Sequence, residues 1–210
     1  MDAEKKLVLV TGSAGNVGRC VCAALRPHCT VRGFDLAPSP GVDESHTGTL
    51  TDRAAVDRAM AGVHTVIHLA AHPNHTADFM TELLRPNVEG LWHVYDSARA
   101  AGVRRMIFAS SCHTIFGHPL DQPLTPADLP RVSNPYGATK VFGEVLGQHF
   151  HDAHGLEFLA VRIGFFTPRG RDETGFDYLR VFVEEMKSSG FVAERIAAHG
   201  VKGLTVAPPA

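Results

Sequence analysis

The chain has 210 residues, of which 44% are hydrophobic and 20% charged, with a formal net charge of -2. This is the composition of a folded globular protein with one large domain, or one domain and a fragment of a second, and it excludes extensive disorder. The near-neutral balance argues against an electrostatic grip on nucleic acid or on an anionic membrane surface. The 13 histidines are scattered, so no metal cluster is expected from them. Cys20 and Cys22 stand too close for the usual metal or redox pair, and with Cys29 and Cys112 they are expected as reduced thiols. The charged start, Met1 to Lys6, followed by a short apolar run, resembles neither a signal peptide nor a membrane span, so a cytoplasmic location is expected by default.

Leu7-Val8-Leu9-Val10 is a continuous apolar run, as a strand buried on both faces requires. Asn16 to Leu25 then reads as a helix, and Cys29 to Phe34 as a second strand. Asp52 to Met60 reads as a helix capped by Thr51 or Asp52, and His64 to Leu69 as a third strand. Phe79 to Ala101 carries a long helical pattern, interrupted by Pro86 and stopped by Gly102. Arg105 to Ala109 forms a fourth strand, Tyr136 to Ala153 a helix, and Glu157 to Arg162 a fifth strand. This alternation means βαβ units, and therefore an α/β fold of the Rossmann type: a doubly wound parallel sheet with helices on both faces.

Gly117 to Pro135 holds five prolines and no clear period, so it is expected as a long loop over one end of the sheet, where loops commonly carry function. Beyond Arg162 the pattern changes. Thr167 to Gly175 is polar and glycine-rich, and Tyr178 to Met186 and Phe191 to Ala198 read as amphipathic helices split by Ser188-Ser189-Gly190. The expected division is residues 1–170 as a nucleotide-binding domain with catalytic groups, and 171–210 as an atypical helical tail.

Gly12-Ser13-Ala14-Gly15-Asn16-Val17-Gly18 follows the first strand directly and opens a helix. Gly12 permits the tight turn, Gly15 lets the backbone approach a pyrophosphate, and Gly18 lets the helix pack near the strand. The free N–H groups of the first helical turn then face the phosphates. Asp35, at the end of the second strand, is placed to accept hydrogen bonds from both ribose hydroxyls and to repel a 2′-phosphate, which favours NAD over NADP. Arg32 has the opposite alternation parity and is expected on the other face.

Tyr136 and Lys140 lie one helical turn apart, so both side chains share a face. Asn134-Pro135 suits a helix that begins just there. A phenol titrates near pH 10, too high for a base at neutral pH. A neighbouring ammonium and a bound cationic nicotinamide would favour the phenolate and lower that pKa. Ser111, ending the fourth strand, can hydrogen-bond a substrate oxygen and hold it against the tyrosine.

Thr11 to Gly18, His68-Leu69-Ala70-Ala71, Asn87-Val88-Glu89-Gly90, Phe108-Ala109-Ser110-Ser111 and Tyr136-Gly137-Ala138-Thr139-Lys140 together resemble the extended short-chain dehydrogenase/reductase family, in its NAD-dependent epimerase/dehydratase group. The match runs in unbroken order over roughly residues 5 to 170. Within that group, Phe108 to Ile115 and Val161-Arg162-Ile163-Gly164 look most like uronate dehydrogenases, which oxidise the anomeric carbon of a hexuronic acid with NAD. The resemblance implies Tyr136 as the base, Lys140 as its pKa-lowering partner and Ser111 as the substrate orienter. It also implies a cofactor site of Gly12, Gly15, Asn16, Val17, Gly18, Asp35, Leu50, Leu69, Ala70, Ala71 and Asn87, with Tyr136 and Lys140 reaching the nicotinamide end. His113, Cys112, Phe165 and Arg171 fall on the substrate side, and family members commonly dimerise through the helix that bears the tyrosine. Phe142, Val145, Leu146 and Phe150 could supply that apolar stripe or could face the sheet.

The sequence departs from the uronate pattern on the substrate side. Cys112 stands in place of asparagine, Phe165 in place of serine, and Pro73 in place of a small polar residue. Thr49 replaces the usual aspartate near the adenine. Arg169 and Arg171 offer forks for a carboxylate, with solvated loop charges as the alternative reading. Extended family members normally run well past this length, and Tyr178 to Ala210 does not resemble their closing domain; it is weakly similar to the C-terminal end of bacterial solute-binding proteins. The leading expectation is an NAD-dependent oxidoreductase acting on a sugar or sugar acid. The alternatives are a nucleotide-sugar epimerase or dehydratase, or a non-catalytic NAD-binding remnant without a complete substrate pocket. Cys112-His113 in place of the dehydratases' acidic pair disfavours that branch.

Overall fold

A computed structural model of the chain describes residues 5–119, 121, 123–125, 128–164 and 166. Six parallel strands form one sheet: β1 (Leu7–Thr11), β2 (Thr30–Asp35), β3 (Glu44–Thr47), β4 (Thr65–His68), β5 (Arg105–Ser111) and β6 (Glu157–Ile163), in the order β3-β2-β1-β4-β5-β6. The helices are α1 (Asn16–Leu25), α2 (Arg53–Met60), α3 (Gly90–Ala100) and α4 (Pro135–His154). The strand order reverses between β1 and β4, and such a switch point leaves a crevice beyond the carboxyl ends of the strands. Thr11, Asp35, His68 and Ser111 are the last residues of their strands and all lie at that edge.

The sheet is the expected doubly wound one, with one strand more than the hydrophobic pattern indicated. Strand β3 reads Glu-Ser-His-Thr and is half-exposed, so it carries no apolar signal. It forms at the sheet's edge because the backbone of β2 offers it a ladder, with Asp35 opposite Thr47.

Alternation along the strands divides the core in two. Leu9, Phe34, Val66, Met106 and Phe108 meet α2, α3 and α4 through Val56, Met60, Leu91, Tyr95 and Phe150. Val8, Val10 and Val31 meet Cys22 and Cys29 on the opposite side, with Val21 and Leu25 of α1 packed against them. All four cysteines are free thiols. Leu146 and Phe150 of α4 are 7% and 1% exposed and belong to the core, whereas Val145 is 64% exposed and Phe142 also faces outward. The stripe considered for dimerisation is therefore split between the core and the surface.

Helix α2 is capped by Asp52, whose side chain accepts from Ala55 N. The long helical pattern before β5 is broken into π-helical turns at Phe79–Leu83 and Arg85–Glu89, followed by α3. Pro86 has no N–H to donate, and around it Leu84 N reaches Phe79 O and Gly90 N reaches Arg85 O, one residue further than in an α-helix. Gly117–Pro135 begins by folding back on itself: Gly117 N donates to Arg131 O at 2.7 Å, and Arg131 N to Thr114 O at 2.9 Å. The compact unit that contains the sheet ends at Phe166. Among the described residues no helix is long and apolar enough to cross a membrane.

Candidate active site

The glycine turn between β1 and α1 is built by close approach. Gly12 has a positive φ of 71°, and its N–H donates to Phe34 O at 2.8 Å. A Cβ there would lie 2.7 Å from the backbone nitrogen of Ala70, and a Cβ at Gly18 would collide with the Gly12 carbonyl. Gly15 is the N-cap of α1 and makes no side-chain cap, so the first N–H groups of the helix have no side-chain partner there. This uncapped turn opens on a cavity of about 760 Å³, a volume suited to a small-molecule ligand.

Gly12, Gly15, Asn16, Val17, Gly18, Asp35, Leu50, Leu69, Ala70 and Ala71 all line that cavity, together with Thr49, His72, Pro73 and Phe166. The Asp35 carboxylate is held at its edge, accepting from Ala14 N at 2.9 Å and from Leu36 N at 2.7 Å. Arg32 lies elsewhere. Its guanidinium bonds Glu44 of β3 at 2.6 Å and the carbonyls of Ala59 and Ala61 at the end of α2. Thr49 pairs with Thr51 through their hydroxyls at 3.0 Å.

Asn87, Tyr136 and Lys140 do not line the large cavity. Asn87 is buried beneath it: its Nδ2 donates to His72 O and Thr139 Oγ1, and its Oδ1 accepts from His72 N at 2.7 Å. Asn87 therefore ties the segment after β4 to α4. Asn87, Thr139 and Lys140 share a small cavity of about 10 Å³ with His68, Phe108, Ala70 and Ala71. Ala70 and Ala71 line both spaces.

Lys140 is 5% exposed, and its Nζ donates to Ala109 O at 2.8 Å. It also lies over the rings of Phe108 and Tyr136, at 5.1 and 5.6 Å from their centroids. Burial pushes its pKa down to about 8. Burial raises that of Tyr136, against a hydrogen bond from Ser111 that lowers it. The lowering expected from the sequence invokes a bound cationic nicotinamide together with Lys140; within the chain itself, burial outweighs the contribution of Ser111. Ser111 is buried at the end of β5, where its Oγ also accepts from His113 N at 3.2 Å.

Two networks hold this assembly. Glu144, one turn beyond Lys140 on α4, accepts from Ser110 Oγ and from both Nε and Nη2 of Arg162, joining α4 to β5 and β6. At the other side, Thr11 Oγ1 and His68 Nδ1 lie 2.7 Å apart, and His68 stacks on Phe108 at 6.0 Å. His68 is fully buried and its pKa is driven down to about 3, chiefly by burial and then by the charge of Lys140.

On the outer side of Tyr136 stands an aromatic wall. His113 meets Tyr136 edge-on at 5.5 Å, tilts on Phe116 at 4.8 Å and stacks on His75 at 5.0 Å. Burial, then the neighbouring His75, lowers the His113 pKa. Cys112 is half-buried beside it. His75 lies in a segment without periodicity, so no sequence pattern marks it, and Asn134 is legible in the sequence only as part of a helix start. Phe165, Arg169, Arg171, the two amphipathic segments after Tyr178 and the proposed tail from residue 171 lie outside the described residues. Among the described residues, no group of three or more His, Cys, Asp or Glu side chains could hold a metal ion.

A doubly wound parallel sheet with an uncapped glycine turn at its switch point, and a Ser/Tyr/Lys cluster beside it, defines a dinucleotide-binding protein of the Rossmann class. The profile of the NAD dependent epimerase/dehydratase family matches residues 8–179, and the chain belongs to that family. It is 35% identical over 180 residues to an NAD-dependent glucose-6-phosphate dehydrogenase of Haloferax volcanii, covering 76% of this chain and 68% of that protein. It is 35% identical over 167 residues to a uronate dehydrogenase of Pseudomonas putida, covering 77% of this chain and 62% of that one. Among solved structures, a mutant uronate dehydrogenase of Agrobacterium tumefaciens complexed with NAD superposes with a TM-score of 0.74 at 32% identity, covering 87% of this chain and 72% of that one. The chain thus spans about two thirds of the length of the curated relatives it matches. These relatives place it among NAD-dependent dehydrogenases and epimerases, with NAD as cofactor. The cavity fits that cofactor: its glycine cradle leaves no room for a Cβ at Gly12 or Gly18, its helix N-terminus is free of side-chain caps, and the Asp35 carboxylate lines it.

Proposed function

We propose that this chain carries the cofactor-binding and catalytic part of an NAD-dependent dehydrogenase for a sugar or sugar acid, similar to uronate dehydrogenases. The observation that carries this reading is the convergence of three groups: Ser111 buried at the end of β5, Tyr136 at the start of α4, and the buried ammonium of Lys140, 5.6 Å from the tyrosine ring centroid and bonded to Ala109 O of the same strand. A substrate hydroxyl entering between Ser111 and Tyr136 would accept from Ser111 and pass its proton to the phenolate oxygen of Tyr136. NAD held in this cavity would supply a hydride acceptor and a positive charge that favours the phenolate. Lys140 adds its own charge over the tyrosine ring. His113 and the aromatic wall bound the substrate side, and Cys112, Phe165 and Arg171 are further proposed contacts. The Ser110–Glu144–Arg162 network keeps the end of β5 in register with α4, so that Ser111 and Tyr136 stay opposed.

The same reading takes residues 1–170 as the catalytic domain and 171–210 as a separate tail, in a cytoplasmic protein. Outward-facing Phe142 and Val145 on α4, with Trp92 on α3, support a homodimer, which sedimentation of the purified chain would test.

The direct test is NADH formation, followed by its absorbance, with NAD and a panel of uronic acids and neutral sugars. Turnover of glucuronate or galacturonate that disappears in Tyr136→Phe supports the proposal. Binding of NAD by calorimetry, with no turnover of any sugar, refutes it for this chain.

A further inference from the structure

Asn134 sits at the junction of α4 and the aromatic wall and serves both. Its Oδ1 accepts from Gly137 N at 2.8 Å, the N-cap bond of α4. A backbone N–H only donates, so the atom facing it must be the amide oxygen and the other terminus must be the NH2. That Nδ2 lies 2.9 Å from His113 Nδ1 and also donates to Ser133 Oγ at 3.3 Å. An amide nitrogen has only protons to offer, so His113 Nδ1 must present a lone pair. A neutral imidazole with its lone pair on Nδ1 carries its proton on Nε2, and an imidazolium would set two donors against each other.

We propose that Asn134 is a positioning residue that fixes His113 as the Nε2–H tautomer, making that N–H a standing donor to a substrate oxygen beside Tyr136. The ring has little freedom to do otherwise. His75 and Phe116 pack against it, Tyr136 meets it edge-on, and the His113 carbonyl is pressed against Gly137. The titratable groups around it are His75, Tyr136 and the adjoining Cys112. The residue that sets the orientation of α4, and with it Tyr136 and Lys140, thus also sets the hydrogen-bonding sense of the substrate wall. The tautomer follows from the hydrogen bonds alone, whereas its use as a substrate donor rests on the dehydrogenase reading above.

The test compares the whole chain with Asn134→Asp and Asn134→Ala. Aspartate keeps an acceptor for Gly137 N but offers only an acceptor to His113, whose Nδ1 must then take the proton. Long-range 1H–15N spectra, with the His113 signals identified by their loss in His113→Gln, should show a bare Nδ1 in the parent and a protonated Nδ1 in Asn134→Asp. The same substitution should raise the His113 pKa by about one unit or more. Melting should change little in Asn134→Asp and fall in Asn134→Ala, which loses the cap. With a sugar substrate that is turned over, at a pH where the imidazole of the variant is neutral, Asn134→Asp should raise KM on the order of tenfold, with kcat less affected, because one substrate hydrogen bond is lost. A protonated Nδ1 in the parent, or the same tautomer in both proteins, overturns the assignment. An inverted tautomer with unchanged KM overturns the substrate role alone. Absence of turnover in the parent would fall on the dehydrogenase reading and leave the spectra to decide the tautomer.

Discussion

The Nζ of Lys140 donates to the carbonyl oxygen of Ala109 at 2.8 Å, so the helix bearing Tyr136 is pinned by a buried ammonium to the strand that ends in Ser111. Such a group costs stability. Its pKa falls from 10.5 to about 8 in the folded protein, so the folded state binds this proton less tightly than the unfolded state does. The cost is fully present below about pH 8 and disappears as pH rises toward 10.5; the interval corresponds to about 3 kcal/mol.

Replacing Lys140 by methionine should remove that cost while losing one hydrogen bond of about 1 kcal/mol. The expected result is a variant more stable than the parent by about 2 kcal/mol at neutral pH, losing that advantage as pH rises toward 10.5 and ending about 1 kcal/mol less stable, and unable to turn over substrate. Urea denaturation across pH measures this. A variant less stable than the parent at neutral pH would show that the Ala109 bond outweighs the burial.

His68 gives the opposite handle, at acid pH. The folded protein keeps this imidazole neutral down to about pH 3, whereas unfolded histidine titrates near 6.5. The unfolded state therefore gains the proton first, and stability should fall as pH drops below 6.5, by up to about 1.4 kcal/mol per pH unit from this group. His68→Gln should blunt that loss. Urea midpoints at about pH 7.5 and about pH 5 should diverge less in the variant than in the parent, by about 2 kcal/mol.

Two glycines of the phosphate turn should separate folding from binding. A Cβ at Gly18 meets the Gly12 carbonyl and Ser13, so Gly18→Ala is expected to distort the turn, destabilise the protein by about 1–3 kcal/mol and weaken NAD binding. At Gly15 a Cβ would lie 3.2 Å from the Gly12 carbonyl, a tight contact but not a collision, and φ is -73°, so Gly15→Ala should lower the melting temperature less than Gly18→Ala does. Gly15 lines the cavity, and NAD affinity should still fall on the order of tenfold. Calorimetric titration beside thermal melting distinguishes the two.

Asp35 should decide between dinucleotides. Asp35→Ala removes the ribose acceptor and the repulsion of a 2′-phosphate, so NAD affinity should drop on the order of tenfold while that for NADP rises. Equal loss for both cofactors would mean that the carboxylate serves the turn, through Ala14 N, more than it serves the ligand.

The fold and the nucleotide side of the site were legible in the sequence because both depend on local chain properties. Apolar runs at strand spacing, the glycines at 12, 15 and 18, and a carboxylate closing β2 each report a backbone requirement that only certain residues meet. Strand β3 was not legible, because its four polar residues are held by the neighbouring backbone. The π-helical turns around Pro86 were visible only as an interruption.

Tertiary structure alone decided the rest of the site. Tyr136 and Lys140 could be placed on one helical face from their spacing, but the partner of Lys140 could not. The ammonium turns to Ala109, which arrives from a strand 31 residues earlier in the chain. The same holds for the stack of His75 on His113, the split of Val145 from Leu146, and the double use of Asn134. Sequence periodicity tells which residues share a face of their own element. Which side chain meets which, and whether burial or a charge governs a pKa, is settled only when separate elements pack and water is excluded between them.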